Sequence, residues 1–224
     1  MPLFELLEVF SDDVARSAAM NMALDEVLWQ SSTLPRLRFY QWDHPALSFG
    51  YFGEYAEVAP YRSERALVRR CTGGGIVFHG SDLTYALVIP TGSLTDHQTS
   101  PFIYGRVHEA VQSTLREIGV PAVLVSDANP KWQPSSTSCF ANPVPADVLV
   151  NDQKVAGAAQ RRSRRGLLQQ GSIQNIQLPN DFGERFAGAL AAKVVSSRID
   201  SGALEEARRL AETKYQSESW LKRR

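Results

Sequence analysis

The stretch RRCTGGGIVFHG, residues 69–80, sets three consecutive glycines between a pair of arginines and a histidine. Strand interiors avoid such a run, because each glycine loses more backbone freedom on ordering than another residue would. A tight turn or a bulge accounts for one or two glycines. Three exceed that need, and Arg69, Arg70 and His79 flank them with donors suited to an anionic or carbonyl group. Bare backbone at Gly73, Gly74 and Gly75 can lie against a ligand and offer its N–H groups to oxygens. The spacing is neither that of a Walker loop nor that of a GxGxxG fingerprint. It describes a cradle for a phosphate or carboxyl group of unspecified parent.

Lys154, in VNDQKVAGAAQRR, is the second candidate. A lysine after a turn is ordinarily solvated. Here small and apolar residues surround it, and Gly157 beside Ala158 lets a ligand come close. A lysine in that setting binds a carboxylate or polarises a carbonyl oxygen. Cys139, in SSTSCFANP, lies fifteen residues before Lys154 in a proline-bracketed polar loop. Two readings stay open for it: an ordinary free thiol, or a thiolate nucleophile favoured by the ammonium that a hairpin-like return would bring near. Cys71 reads as a buried packing residue. His44, His97 and His108 show no ligand spacing, and no metal site is indicated.

The elements that must position these residues follow from periodicity. Residues 4–10 read as a strand, with Ser11, Asp12 and Asp13 supplying caps for a helix over 14–30. The aromatic-rich segments 37–42 and 46–52 suggest a hairpin across Asp43-His44-Pro45. A short helix over 58–65 precedes a strand that leads into the glycine run, and 82–90 is a buried strand. A helix spans 101–119, with Pro101 near its start and Gly119 at its stop. A short strand at 122–125 leads to a long polar loop, then to strands around turns at Asn151-Asp152 and SRRG. Residues 202–224 read as a closing helix. Strands and helices mix without a βαβ alternation. The expected fold is α+β, with a mostly antiparallel sheet packed with helices in one catalytic domain over 1–224.

Composition narrows the function classes. The 224 residues are 43% hydrophobic, and 24 Lys plus Arg balance 24 Asp plus Glu, so no strong field draws the chain to nucleic acid or to a membrane. The N-terminal residues are acidic where a secretory signal is basic, and no apolar run approaches the roughly 20 residues of a membrane span. Two cysteines are too few for a disulfide framework. The expected location is cytoplasmic.

RRCTGGGIVFHGSDLTYALVIP, followed by VNDQKVAGAAQRR and LLQQGSI, resembles the lipoate–protein ligase, octanoyltransferase and biotin–protein ligase superfamily. NMALDEVL, LRFYQWDHPALSFGYF and the closing KYQSESW are similar to that superfamily as well, so the likeness covers nearly the whole chain. The resemblance implies a biotin/lipoate ligase-like catalytic domain that joins an acyl group to a lysine of a lipoyl-carrier domain. That carrier is the glycine-cleavage H protein or a dehydrogenase E2 lipoyl domain. It also implies that Arg70, Gly73, Gly74, Gly75, His79, Gly157 and Ala158 hold the acyl group and its activated head, while Lys154 polarises the carbonyl. Two chemistries are compatible. In the cysteine-dependent octanoyltransferase branch, SCFANP…KVAGAAQ makes Cys139 the acyl-accepting thiol, octanoyl-acyl carrier protein the donor, and cofactors unnecessary. In the ligase branch, ATP and magnesium generate an acyl-adenylate and Cys139 is incidental. Two departures mark this chain: Gln170 stands where the pattern usually has histidine, and Gly75 keeps the third glycine that transferases often replace. A non-catalytic acyl-binding homologue is the third reading. The RRSRRG turn is either a solvated charged turn or a contact for an acidic carrier domain.

Overall fold

The computed structural model describes residues 1–12, 14–95, 97–126 and 143–223. The strands are β1 (Phe4–Ser11), β2 (Arg36–Tyr40), β3 (Ala46–Phe49), β4 (Ala66–Arg69), β5 (Val77–His79), β6 (Leu83–Pro90), β7 (Ala122–Leu124), β8 (Val148–Val150), β9 (Gln153–Ser163), β10 (Gly166–Ile173) and β11 (Ala191–Ser197). The helices are α1 (Ala18–Ser31), α2 (Tyr55–Val58), α3 (Ser100–Glu117), α4 (Phe182–Leu190), α5 (Ser201–Leu210) and α6 (Glu218–Leu221). Among the described residues the strands form an eight-stranded sheet, β11-β1-β2-β6-β10-β9-β8-β7, and a three-stranded sheet, β4-β3-β5. In the large sheet only β11-β1 and β1-β2 pair in parallel. The expected α+β architecture with a mostly antiparallel sheet is what forms. No helix among the described residues is long and apolar enough to cross a membrane.

The period of two along β6 and β10 divides the interior. Tyr85, Leu87 and Ile89 of β6 and Leu167 of β10 turn to one core, filled by Ile103, Val107 and Val111 of α3 and Phe186 of α4. Ala86, Val88 and Leu168 turn to the other, filled by Met22, Leu24 and Leu28 of α1. Buried on both faces, β6 reads as a near-continuous apolar run, whereas β10 changes from Leu167 and Leu168 to the polar Gln169, Gln170 and Ser172. The β8–β9 turn forms at Asn151 and Asp152, with φ of 49° and 60°, the left-handed pair that a two-residue hairpin requires.

Four local expectations are corrected. Segments 37–42 and 46–52 do not form a hairpin: both edges of β2 are taken by β1 and β6, so the chain crosses to the small sheet, where β3 lies between β4 and β5. Helix α1 begins four residues later than expected, capped by Ser17 (Oγ accepting from Met20 N at 3.3 Å). Ser11 belongs to β1, and the Asp12 carboxylate is engaged by Arg16 and Arg38. The closing helix is broken: a π turn over Ala211–Tyr215 follows α5, and Ser217 caps α6. The wide turn directs Lys214 and the Tyr215 hydroxyl onto the Glu26 carboxylate. Finally, α4 and β11 were not anticipated, although Phe182, Phe186 and Leu190 recur at a helical interval and are buried.

Candidate active site

A cleft opens between the two sheets, walled by Ser48, Val77 and His79 of the small sheet, by Met22, Trp42 and Arg70, and by Tyr40, Thr84, Gly157–Ala158–Ala159 and Gln170–Gly171–Ser172 of the large sheet. Of the residues singled out in the sequence, Arg70, His79, Gly157 and Ala158 line it directly.

The glycine run borders this cleft as a loop between β4 and β5. Gly74 has φ +82°, and a Cβ there would stand 3.1 Å from Ala159 Cβ and 3.2 Å from an Arg70 terminal nitrogen. The bare position is needed because the loop lies against β9. Gly50 completes the fit from the other side, since a Cβ on it would reach the Gly74 carbonyl oxygen at 2.0 Å. Gly73, by contrast, has open space on its Cβ side. Arg70 braces the loop: its guanidinium donates to the carbonyls of Gly73 and Gly75, each at 2.9 Å, and to Ser48 Oγ at 2.7 Å. Arg69 does not serve the cleft as expected. Adjacent residues on a strand point to opposite sides, and Arg69 donates instead to carbonyls of Tyr51, Gly53, Leu221 and Arg223, tying the C-terminal segment to the body.

His79 is fixed from three directions. Its Nδ1–H donates to Asp82 Oδ2 at 2.7 Å, Ser48 Oγ lies 2.7 Å from Nε2, and the Trp42 indole stacks on the ring at 4.1 Å. Burial lowers its pKa from the ordinary histidine value, against the opposing effect of Asp82. The neutral ring therefore accepts the Ser48 proton at Nε2, and Ser48 in turn accepts from Arg70. Asp82 also accepts from Thr84 Oγ1, Ser172 Oγ and the Gly80 amide. Burial alone would raise its carboxyl, but the His79 hydrogen bond and charge, with Ser172 and Thr84, bring it down to about 2.

Lys154 is buried, not solvated. Its ammonium lies 2.7 Å from Asp147 Oδ2, and its chain runs across Gly157, where a Cβ would sit 2.4 Å from Lys154 Cε. This is the physical reason for the glycine at 157. Asp147 also accepts from the Tyr104 hydroxyl at 2.5 Å and from the Val144 amide, while Tyr104 accepts from the Ala158 amide at 3.1 Å. Asp147 and Tyr104 thus hold the lysine against the strand that walls the cleft. Cys139 lies outside the described residues. Cys71 is buried, and burial first, then Glu26, pushes its thiol up to about 11, which leaves it inert. His108 is buried on α3, with no hydrogen-bond partner among the described residues.

Gln170 occupies its unusual position with both ends used. Its Nε2 donates to Asp25 Oδ2 at 2.7 Å and its Oε1 accepts from Thr72 Oγ1 at 2.8 Å. Asp25, fully buried, also accepts from Arg38 and from the Tyr40 hydroxyl. Ser48, Asp82, Trp42, Thr84 and Asp25 were not foreseen as site residues. Only Asp82, three residues after His79 in HGSD, carried a local sequence signal; the others depend on long-range pairing of strands.

The cleft thus lies between a large, mostly antiparallel sheet and a small glycine-looped sheet, with the buried Lys154 packed against Gly157 of its wall. Residues 17–200 match the lipoyl protein ligase A/B catalytic domain, and the chain belongs to that family. Octanoyltransferase LipM of Brevibacillus brevis is 34% identical over 176 residues, covering 71% of this chain and 62% of that protein. Octanoyltransferase LipM of Bacillus subtilis is 34% identical over 177 residues, covering 73% of this chain and 64% of its own length. The chain therefore spans less than two thirds of the length of these relatives. In fold it is similar to a bi-partite lipoate protein ligase from Thermoplasma acidophilum, described with its E2 lipoyl domain, at TM-score 0.71 and 20% identity, covering 98% of this chain and 96% of that one. It is also similar to P. falciparum LipL1 in complex with lipoate, at TM-score 0.67 and 14% identity, covering 98% and 74%.

Proposed function

We propose that the chain transfers an octanoyl group from octanoyl-acyl carrier protein to a lysine of a lipoyl-carrier domain, through a thioester on Cys139 and without a cofactor. The observation that carries this reading is the buried Lys154, held by Asp147 against Gly157 on the wall of the cleft. The octanoyltransferases among its relatives support the choice of acyl group. In the first step the Cys139 thiolate attacks the carrier's thioester carbonyl; the new C–S bond forms, the old one breaks, and the carrier thiol leaves with a proton. In the second, the neutral amine of the target lysine attacks the enzyme thioester. The C–N bond forms as the bond to Cys139 breaks, and the amine's proton passes to the departing thiolate or to solvent.

The residues of the cleft have separate tasks in this scheme. Lys154, with Gly157 and Ala158 beside it, stabilises the oxyanion that develops in both steps. Arg70 keeps Gly73–Gly75 shaped against the acyl head, and the Asp82-anchored His79 keeps Ser48 and Arg70 in place. The partner is an H protein or an E2 lipoyl domain. Mass spectrometry of a lipoyl domain, incubated with the chain and octanoyl-acyl carrier protein, tests this: an added octanoyl group without ATP is expected. Modification only with free acid, ATP and magnesium would make the chain a ligase. Acyl binding with no modification under either condition would make it a binding homologue.

A further inference from the structure

We propose that the tip of the β9–β10 hairpin is the docking surface for an acidic face of the carrier protein that delivers the acyl group. The inference rests on the transferase reading above. Strand β9 supplies Gly157–Ala159 to the cleft and then runs outward through Arg161 and Arg162 to a turn at Arg164-Arg165. At about 3.3 Å per residue, the turn lies roughly 16 Å along the strand from Ala159. Arg162, Arg164 and Arg165 are exposed and Arg161 is half-buried, and among the described residues none of the four has a carboxylate partner. The chain has no net charge, so the two exposed arginines at the turn, Arg164 and Arg165, form a local patch and not part of a general basic field.

The patch is also fixed in place. The Arg164 and Arg165 carbonyls accept from the Thr91 hydroxyl at 2.7 Å and the Thr91 amide at 3.2 Å. Gly166, at φ +125°, packs so tightly that a Cβ would reach the Ile89 carbonyl at 2.1 Å. Arg161 turns inward, donating to the Cys71 carbonyl at 3.2 Å with its guanidinium 5.5 Å from the Trp29 and Tyr51 rings. Arg162 faces the other way, onto the Gln98 carbonyl. A rigid turn presents its charges with little ordering cost on binding.

Chemistry selects the occupant. No large exposed apolar residue lies on the hairpin, since Leu167 and Leu168 are buried, so the tip has nothing to insert into a lipid surface. Two charges at the tip of one hairpin of a neutral chain are too local for a nucleic-acid track. An acceptor lysine on its short stem requires its domain against the mouth of the cleft itself. A donor holding its acyl group on a flexible thioester arm can instead dock a strand's length away.

The test is the double charge reversal Arg164→Glu/Arg165→Glu, on exposed residues outside the cleft, with melting temperature as the check on folding. Binding of octanoyl-loaded acyl carrier protein is measured by fluorescence anisotropy at about 50 mM and about 500 mM salt. Acylation of the enzyme by the same carrier, and by a small octanoyl thioester with no protein attached, is followed by mass. The expected result is a loss of carrier affinity of about tenfold at low salt that shrinks at high salt, with an unchanged rate from the small thioester. Equal carrier affinity for wild type and variant would overturn the proposal while leaving the transferase reading standing. So would an effect confined to lipoyl-domain binding, or wild-type binding to anionic vesicles or DNA that the variant loses. Carrier binding that weakens on charge reversal, in a wild-type protein that transfers nothing, would keep the docking surface and sink the transferase reading.

Discussion

Two buried polar systems face each other across the cleft, and they are built from opposite materials. On one side His79, Asp82, Ser48 and Arg70 form a chain of hydrogen bonds around a titratable ring and end on the glycine loop. On the other, Gln170 links Thr72 to the Asp25–Arg38 pair through an amide that cannot titrate. Their carboxylates differ accordingly. Asp82, rich in donors, is held at about 2, whereas burial raises Asp25 in spite of Arg38 and Gln170. The first system braces the glycine loop and joins it to a titratable ring by a chain of hydrogen bonds. The second is a lock between α1, β2 and β10.

The largest effect that separates them is on stability. Asp25→Ala strips a fully buried Arg38 of its closest carboxylate and is expected to cost about 3–5 kcal/mol in urea unfolding. A cost below about 1 kcal/mol would show that the lock does not hold α1, β2 and β10 together. Next, Gln170→Leu leaves Asp25 and Thr72 each short of a partner and should cost about 1–3 kcal/mol. Gln170→His, whose neutral ring has one donor and one acceptor, should cost less than about 1 kcal/mol, because it can serve Asp25 and Thr72 in the same senses. If the two substitutions were equally costly, the hydrogen bonds of Gln170 would not explain its presence.

The pH dependence sharpens the contrast further. Burial lowers His108 to about 3 and also lowers His79, so both stay neutral in the folded chain while the unfolded chain takes up their protons below about 6.5. Stability contributed by these groups is therefore present above that pH and declines as pH falls toward the folded values. Among the described residues His108 has no hydrogen-bond partner to oppose its shift, and His108→Phe should flatten the decline between pH 6.5 and about 3 by up to about 1.4 kcal/mol per pH unit. Asp82→Asn sets an amide donor among the four donors that converge on Asp82 and should cost about 1–3 kcal/mol near neutral pH. It should raise the KM for acyl donor and shift the pH profile of transfer, while Asp25→Asn should leave that profile in place.

The same contrast explains what could be read in advance. The glycine run, Arg70, His79, Gly157 and Lys154 were legible because local sequence carries them: consecutive glycines, a lysine among small residues, a positive-φ turn at 151–152. Gly50 and Ser48 were not, because they meet the glycine loop only once β3 leaves β2 and enters the small sheet. Arg69 misled for a related reason. Its neighbour Arg70 faces the cleft, and strand alternation sends Arg69 to the C-terminal carbonyls instead. The role of Gln170 was illegible because Asp25 and Thr72 come from α1 and the glycine loop, far off in sequence.

The most direct measurement is the intact mass of the chain after mixing with octanoyl-loaded carrier protein in the absence of ATP. The expected result is one added octanoyl mass that hydroxylamine removes, that Cys139→Ala abolishes and that Lys154→Ala slows. An adduct that survives Cys139→Ala, or no adduct alongside ATP-dependent modification of a lipoyl domain, would contradict thioester transfer through this cleft.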